Sequence, residues 1–357
     1  SQAAASILPA KAPPVGALVS CYTVTGSLPL PTPQGPTLLP APGTNLVTNY
    51  TELGTFDDAG LCYANYQREL VGLPAFVTEP LLAKAALNHT TYLLHSPTFE
   101  GHDEKDDTST YYTGMDSKAR IDKVGYKTTS TSEVLAMKLM WMNGLNSPAT
   151  LSPKSAMLQG LIAAPFHRIG LFGSLKSAGS GYKDRSGPSD GTGAGTNRPD
   201  TCAAGSTTCT FTATEFVQTV NMADDYQAAG DDFLIASPYN GQSDSPPSWK
   251  NTEWPDPYPG TASKIIGYPI TLQAVNRALT LDVTRFEIKD PNGADVKCHL
   301  VDHTYKNHPQ VNMARYASGI AICTPDTPLQ AKTTYNVHVT GSLDKKPMDI
   351  AWSFTTQ

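Results

Sequence analysis

Histidine and glutamate side chains that could act together stand at separate polar positions of this sequence, each beside apolar segments. His102 and Glu104 share one short polar segment, and Glu133 opens a later apolar segment. His167 follows a proline-phenylalanine pair. Two neutral imidazoles and a carboxylate around an open position suit zinc or another divalent cation. The same groups suit proton transfer through a bound water, because a nearby carboxylate moves a histidine pKa towards neutrality.

We predict one cleft lined by His102, Glu104, Glu133 and His167. Glu104 is the expected fourth member because alternate side chains of an extended segment share a face, which places it beside His102. His102, His167 and Glu133 are the candidate metal ligands and also the catalytic candidates, although no catalytic role is assigned to them. A structural interpretation stays open as well, since buried His-Glu pairs often only lock two segments together through charge-assisted hydrogen bonds.

The other histidines have simpler interpretations. His95 competes with His102, but it ends a predicted helix and suits the negative end of the helix dipole. His89 falls on an apolar helical stripe and is interpreted as a core histidine. The histidines without ligand-like spacing are His299, His303, His308 and His338.

Two further patterns have a structural and a functional interpretation. The acidic residues Asp103, Asp106 and Asp107 read as a solvated loop, with calcium binding as the alternative, although the ligand periodicity of an EF-hand is missing. Trp249 and Trp254 are expected to pack between domains, with carbohydrate stacking as the alternative.

Helices interleaved with short strands must position these side chains. Apolar residues at helical spacing predict a helix from Phe56 that ends at Gly72, and a second one that begins after Thr78. Further predicted elements are helices over 116–124, 132–142 and 152–163, a strand over 166–172 and a Gly/Ser-rich loop over 173–205.

The composition limits the classes of function. The net charge of −6 argues against a nucleic-acid partner. No apolar run approaches the ~18–20 residues of a membrane span, so we expect no transmembrane segment. The chain opens at Ser1 without an initiator Met, which we interpret as a mature form from which a signal peptide was removed.

Six cysteines without a Cys-x-x-Cys pair favour disulfides and an exported protein. Cys202 and Cys209 share one loop, and Cys298 and Cys323 flank two candidate strands, so we predict these as local bridges. The remaining pair, Cys21 with Cys62, would tie the N-terminal arm to the first helix. Six cysteines permit ~15 pairings, so other pairings stay open.

The pattern predicts an α+β chain: an α-β-α sandwich followed by a small β-sandwich. Its 357 residues suit two domains, since single cores usually stop growing near ~250–300 residues. The period of the pattern changes to two after a Pro-rich stretch. The predicted segments are a Pro-rich arm over 1–45, the α-β-α domain over 46–235, a Pro-rich linker over 236–266 and the β-sandwich over 267–357.

An ordered set of motifs resembles the CAP superfamily, which holds cysteine-rich secretory proteins, insect-venom antigens and plant pathogenesis-related proteins. The closest likeness is to its bacterial secreted members. The resemblance covers roughly residues 48–235, and the C-terminal part looks like a bacterial immunoglobulin-like module. The motifs are Asn65-x-x-Arg68-x-x-x-Gly72-Leu73-Pro74, Gly101-His102-x-Glu104, Tyr112-Thr113-Gly114, Arg120-x-x-x-x-Gly125-Tyr126, Glu133 and Pro165-Phe166-His167-Arg168.

The resemblance implies a cavity lined by two histidines and two acidic residues. By position His102 and His167 match the histidines and Glu133 one acidic residue, but the next segment lacks the second glutamate of many members. It also implies a secreted, periplasmic or cell-surface protein with an extracellular protein, lipid or cell-envelope component as partner. We therefore expect extracellular interaction or binding of a lipid or peptide in the cleft. The alternative is a metal-dependent, protease-like hydrolase that uses the same cleft; whether the chain is an enzyme stays open.

Overall fold

The computed structural model describes most of the chain. The described residues are 21–26, 32–39, 47–191, 199, 202, 206–225, 232–305 and 317–357. Most of the predicted Pro-rich arm, part of the predicted loop over 173–205, and His308 lie outside these residues. Within them no helix is both long and apolar enough to cross a membrane.

The helices of the described residues precede the C-terminal half of the chain. They are α1 Phe56–Leu70, α2 Pro80–His95, α3 Ser117–Lys123, α4 Ala156–Ala163 and α5 Pro165–Leu171. The helices predicted from Phe56 and over 116–124 are confirmed as α1 and α3. Helix α2 begins as its proline predicts, although the side chain that caps it belongs to Glu79 rather than Thr78.

Strands in the first part of the chain include the long members of one sheet. Their bounds are β1 Thr23–Val24, β2 Thr37–Leu39, β3 Val47–Thr48, β4 Val77–Thr78, β5 Thr131–Asn143, β6 Leu175–Ser189, β7 Phe211–Asp225 and β8 Phe233–Ser237. The strands that follow are β9 Ser248–Lys250, β10 Ile265–Gly267, β11 Ile270–Ala274, β12 Leu281–Lys289, β13 Cys298–Asp302, β14 Ile320–Pro325, β15 Thr334–Leu343 and β16 Lys346–Thr355.

A four-stranded sheet of order β4-β6-β7-β5 lies between helices. Phe216 and Val220 of β7 pack with residues of α1 and α4. Val217 and Ala223 of the same strand pack with residues of α2. Successive side chains of a strand point to opposite faces, so helices cover both faces of this sheet. The mixed helix and strand content agrees with the predicted α+β class.

Three assignments made from the sequence are wrong. Residues 132–142 form β5 rather than a helix, because this segment pairs along its whole length with β7. Residues 166–172 form most of α5 rather than a strand, because Pro165 begins a helix there. The start of the predicted loop over 173–205 is strand β6, in which the Cβ of any other residue at Gly179 would lie 2.0 Å from the backbone nitrogen of Ala83 in α2.

The C-terminal part contains two further sheets that share one core. One has the order β13-β14-β11-β8-β2 and the other β12-β15-β16. Leu272 of β11 and Val337 of β15 are fully buried in the cluster between them. Strand β2 comes from the range assigned to the arm, and β8 crosses the boundary predicted between the first domain and the linker. The predicted linker holds β9 and most of β10. The division into two domains, and the immunoglobulin-like nature of the second, stay predictions.

Disulfide bonds join the three predicted cysteine pairs, Cys21–Cys62, Cys202–Cys209 and Cys298–Cys323. Disulfides form and persist in oxidising compartments, so the bonds are consistent with an extracellular protein.

Candidate functional site

A cavity of about 770 Å³ opens where the loop after α2, the start of α3, β5, α5 and the segment after β9 meet. His102, Glu133 and His167 all line it. Glu104, which we expected beside them, does not. The other lining residues are Asp103, Asp116, Ser117, Ser132, Val134, Phe166, Ile169, Gly170, Trp254, Pro255 and Arg277.

Glu133 is the polar centre of one wall. Its Oε1 accepts a hydrogen bond from His102 Nδ1 at 2.9 Å. Arg120 Nη2 donates to Oε1 at 3.0 Å and to Oε2 at 2.8 Å. Asn221, with its amide oriented so that its oxygen accepts from the Ala86 N–H, also donates to Oε2 at 2.8 Å. The carboxylate is therefore surrounded by donors.

These donors keep Glu133 ionised. Burial alone would raise the pKa of this carboxyl group. The hydrogen bond from His102 and the positive charges of His89, Arg120 and His102 outweigh burial and lower the pKa to about 2. Arg120 is fully buried and also donates to the His102 carbonyl at 3.0 Å, so it holds the loop that carries the imidazole.

Glu104 lies behind the wall instead of in the cleft, which corrects its predicted place. It is buried and accepts from His89 Nδ1 at 3.1 Å, from the Thr113 N–H at 2.5 Å and from the Gly114 N–H at 3.1 Å. Burial would raise its pKa, but the hydrogen bonds from His89 and Thr113 and the charges of His89 and Arg120 lower it. The extended-segment argument failed because the backbone is in a turn at Gly101 and His102, so His102 and Glu104 do not follow the alternation of an extended strand.

His89 is a core histidine, as the apolar stripe predicted. It is fully buried. Its Nε2 donates to the Gly101 carbonyl at 2.9 Å and lies 3.9 Å from Glu133 Oε1, and its Nδ1 faces Glu104. Both ring nitrogens thus face acceptors, and the imidazole joins the two glutamates into one buried network.

His167, on another element that lines the cavity, has a carboxylate partner of its own. Its Nδ1 donates to Glu253 Oε1 at 2.6 Å, and its backbone N–H donates to the same oxygen at 2.8 Å. The Phe166 N–H donates to Glu253 Oε2 at 3.1 Å. One buried carboxylate therefore caps α5 and orients the imidazole. Sequence reasoning missed Glu253, and the separation of 86 residues gives no local signal for it.

Two fully buried arginines hold α5 in place. Arg68 of α1 donates to the Leu171 carbonyl at 2.7 Å, at the end of the helix. Arg168 donates to the Ile162 carbonyl at 2.7 Å and to the Pro269 carbonyl at 2.8 Å. These bonds fix α5 against α1 and the segment before β11, and they thereby fix the position of His167 on α5.

The residues of the cavity do not form the predicted three-ligand metal site. Among the described residues, no group of three or more His, Cys, Asp and Glu side chains is placed to hold a metal ion. A physical reason is that Arg120, Asn221 and His102 already occupy the Glu133 carboxylate. His102 and His167 each keep Nε2 without a hydrogen-bond partner within the described part of the chain.

Other candidates named from the sequence lie elsewhere. The ring of His95 stacks on Tyr111 with centroids 3.8 Å apart, and the ring of His299 stacks on Tyr258 at 4.1 Å. Trp249 is buried beside Ala164. In contrast, Trp254 is 70% exposed at the rim of the cavity, so the prediction that it packs between domains is wrong.

No protein-family model matches the sequence, and no curated protein matches it.

Proposed function

We propose that this chain is a secreted or cell-surface protein of CAP type that binds an extracellular ligand in the cavity between His102, Glu133 and His167. The observation that carries the proposal is the arrival of these three side chains, from three separate elements, at one cavity. Concave sites with a few convergent polar groups on apolar walls are the usual form of ligand sites. The disulfides and the resemblance of the motifs support the extracellular setting.

A peptide suits the cavity better than a lipid. Lipid tails are bound by continuous apolar walls, because an unpaired polar group beside an acyl chain is costly. Here Asp103, Asp116 and Arg277 line the same cavity as Phe166 and Ile169. This mixture matches a peptide, whose backbone and side chains alternate polar and apolar groups.

The metal-dependent hydrolase remains the second candidate, and one observation favours it. Each cavity imidazole donates through Nδ1 to a buried carboxylate, which leaves Nε2 as the nitrogen for a proton or a ligand. The third ligand is missing, as described above, so we assign no catalytic step. Hydrolysis of a fluorogenic peptide panel by the wild type, lost in His167→Ala, would favour this candidate over simple binding.

A random-peptide selection followed by calorimetry tests the binding proposal. Peptides selected on the immobilised wild type should lose at least ~10-fold in affinity, about 1.4 kcal/mol, for His102→Ala and for His167→Ala. His338→Ala, which changes a histidine in β15 away from the cavity, is the matched control and should bind unchanged. Equal affinity for all four proteins would reject the cavity as the ligand site.

A further inference from the structure

Strand β5 has one edge without a neighbouring strand. It pairs along 13 residues with β7, and in the described part of the chain no strand pairs with its other side. In an antiparallel ladder alternate residues direct their N–H and C=O groups away from the partner. The outer edge of β5 is therefore a row of backbone groups that a further strand could bind.

The exposed half of this strand is apolar. The side chains of Met137, Trp141 and Met142 are 43%, 37% and 44% exposed. Lys138 is the single charged residue between 134 and 143, and the segment has no proline. Natural edge strands are usually protected by charges, prolines, bulges or a short length. A long edge that lacks most of these protections indicates an interaction surface.

The same strand leads into the cavity. Ser132, Glu133 and Val134 line the cavity, and the exposed apolar residues begin three positions later at Met137. At ~3.4 Å per residue, a strand added beside residues 137–143 would cover ~24 Å, and ~10 Å more would bring it to Val134 at the cavity. The exposed edge and the cavity thus lie along one strand, about three residues apart.

The charges of the cavity indicate the kind of chain that would lie there. The negative charge of Glu133 is balanced by Arg120, and the imidazole of His167 is paired with Glu253. The exposed carboxylates of Asp103 and Asp116 then stand against one exposed cation, Arg277. A second copy of this chain paired through β5 would bring apolar residues and a single cation, Lys138, against these two carboxylates, whereas a peptide can carry further basic residues.

We propose that β5 binds an extended peptide as an added strand, with apolar peptide residues over Met137 and Trp141. A basic peptide residue would reach Asp103 and Asp116 in the cavity. Strand addition derives affinity from backbone hydrogen bonds and specificity from alternate side chains. This inference rests on the proposed function and names the binding mode and the class of ligand.

The test uses the peptide with the highest affinity from the selection described above. Two changes are made separately: Met137→Lys with Trp141→Lys in the protein, and N-methylation of alternate residues in the synthetic peptide. Each should reduce the affinity at least ~10-fold, because lysines block an edge and N-methyl groups remove the pairing donors. Ile265→Lys, at a residue 63% exposed on β10, is the matched control and should bind as the wild type does.

The outcomes separate the two proposals. Binding that depends on His102 and His167 but tolerates both changes at the edge would overturn strand addition and leave the proposed function standing. Binding that depends on the edge but tolerates the histidine changes would overturn the cavity as the ligand site and leave strand addition at β5 standing. A wild-type dimer in sedimentation that the two lysine substitutions dissociate, without peptide binding, would assign the edge to a second copy and overturn the inference. Selection of no peptide would overturn both proposals. The N-methylated peptide keeps the test valid even if the double variant folds poorly.

Discussion

Replacing Glu253 with glutamine tests how the cavity wall is held. The change keeps the size of the side chain but removes its charge and one acceptor. In the wild type, Oε1 accepts from two nitrogens of His167 at 2.8 and 2.6 Å, and Oε2 accepts from the Phe166 N–H at 3.1 Å. If the glutamine oxygen faces His167, its amide NH₂ meets the Phe166 N–H, donor against donor.

The expected loss is about 1–4 kcal/mol. A buried donor deprived of its acceptor costs ~1–3 kcal/mol, and loss of a negative charge at a helix N-terminus costs ~0.3–1 kcal/mol. Urea unfolding of the wild type and Glu253→Gln at neutral pH measures this difference. Glu287→Gln, whose carboxylate contacts a largely exposed arginine on β12, is the control and should change the free energy of unfolding by less than ~0.5 kcal/mol. Equal losses in both variants would refute the assignment of Glu253 as the cap of α5.

Three further predictions concern stability. Because the pKa of Glu133 is lowered from 4.5 to about 2, the ionised form stabilises the fold above pH 4.5, and this contribution of roughly 3 kcal/mol is lost as the pH falls towards 2. The difference in unfolding free energy between the wild type and Glu133→Gln should narrow over that range; a constant difference would contradict the low pKa. Replacing Cys21 and Cys62 with serine should lower the free energy of unfolding, measured in guanidinium, by ~4 kcal/mol, because the disulfide restricts a loop with a sequence separation of 41 in the unfolded chain. An unchanged unfolding midpoint would contradict this prediction. Gly179→Ala should lower the free energy of unfolding by about 3 kcal/mol or more, because the added Cβ would meet the backbone of α2. Gly160→Ala is the control and should not destabilise the protein, because the space around Gly160 is open. Similar thermal midpoints for the two variants would show that the sheet and α2 are not in close contact.

The polar residues of the cavity could be named from the sequence because their type and order are informative. His102 and His167 stand beside apolar segments, where an unpaired imidazole would be costly, so partners were expected for both. The sequence did not reveal which carboxylates pair with these histidines. Glu253 lies far along the chain from His167, and Glu104 was misplaced because the backbone turns at Gly101 and His102 instead of running extended.

The assignment of helices and strands failed where tertiary contacts decide. Residues 132–142 carry apolar side chains on both sides, and a strand with both faces partly covered does not alternate clearly, so its pattern resembles that of a helix. Pairing with β7 selects the strand. The segment after Pro165 contains β-branched and aromatic residues that suit a strand, but a buried carboxylate from elsewhere caps it as a helix. Capping by a distant residue leaves no trace in the local sequence.

The central claim is that a ligand occupies the cavity between His102 and His167, and the imidazole resonances of the two residues report on it most directly. In nitrogen-edited NMR spectra of the wild type, both rings should carry their proton on Nδ1 when neutral, because each donates through that atom to a carboxylate. Addition of the selected peptide should shift the Nε2 resonances of both rings and leave those of His338 in place. Shifts at His338 with none at the cavity histidines would contradict the account.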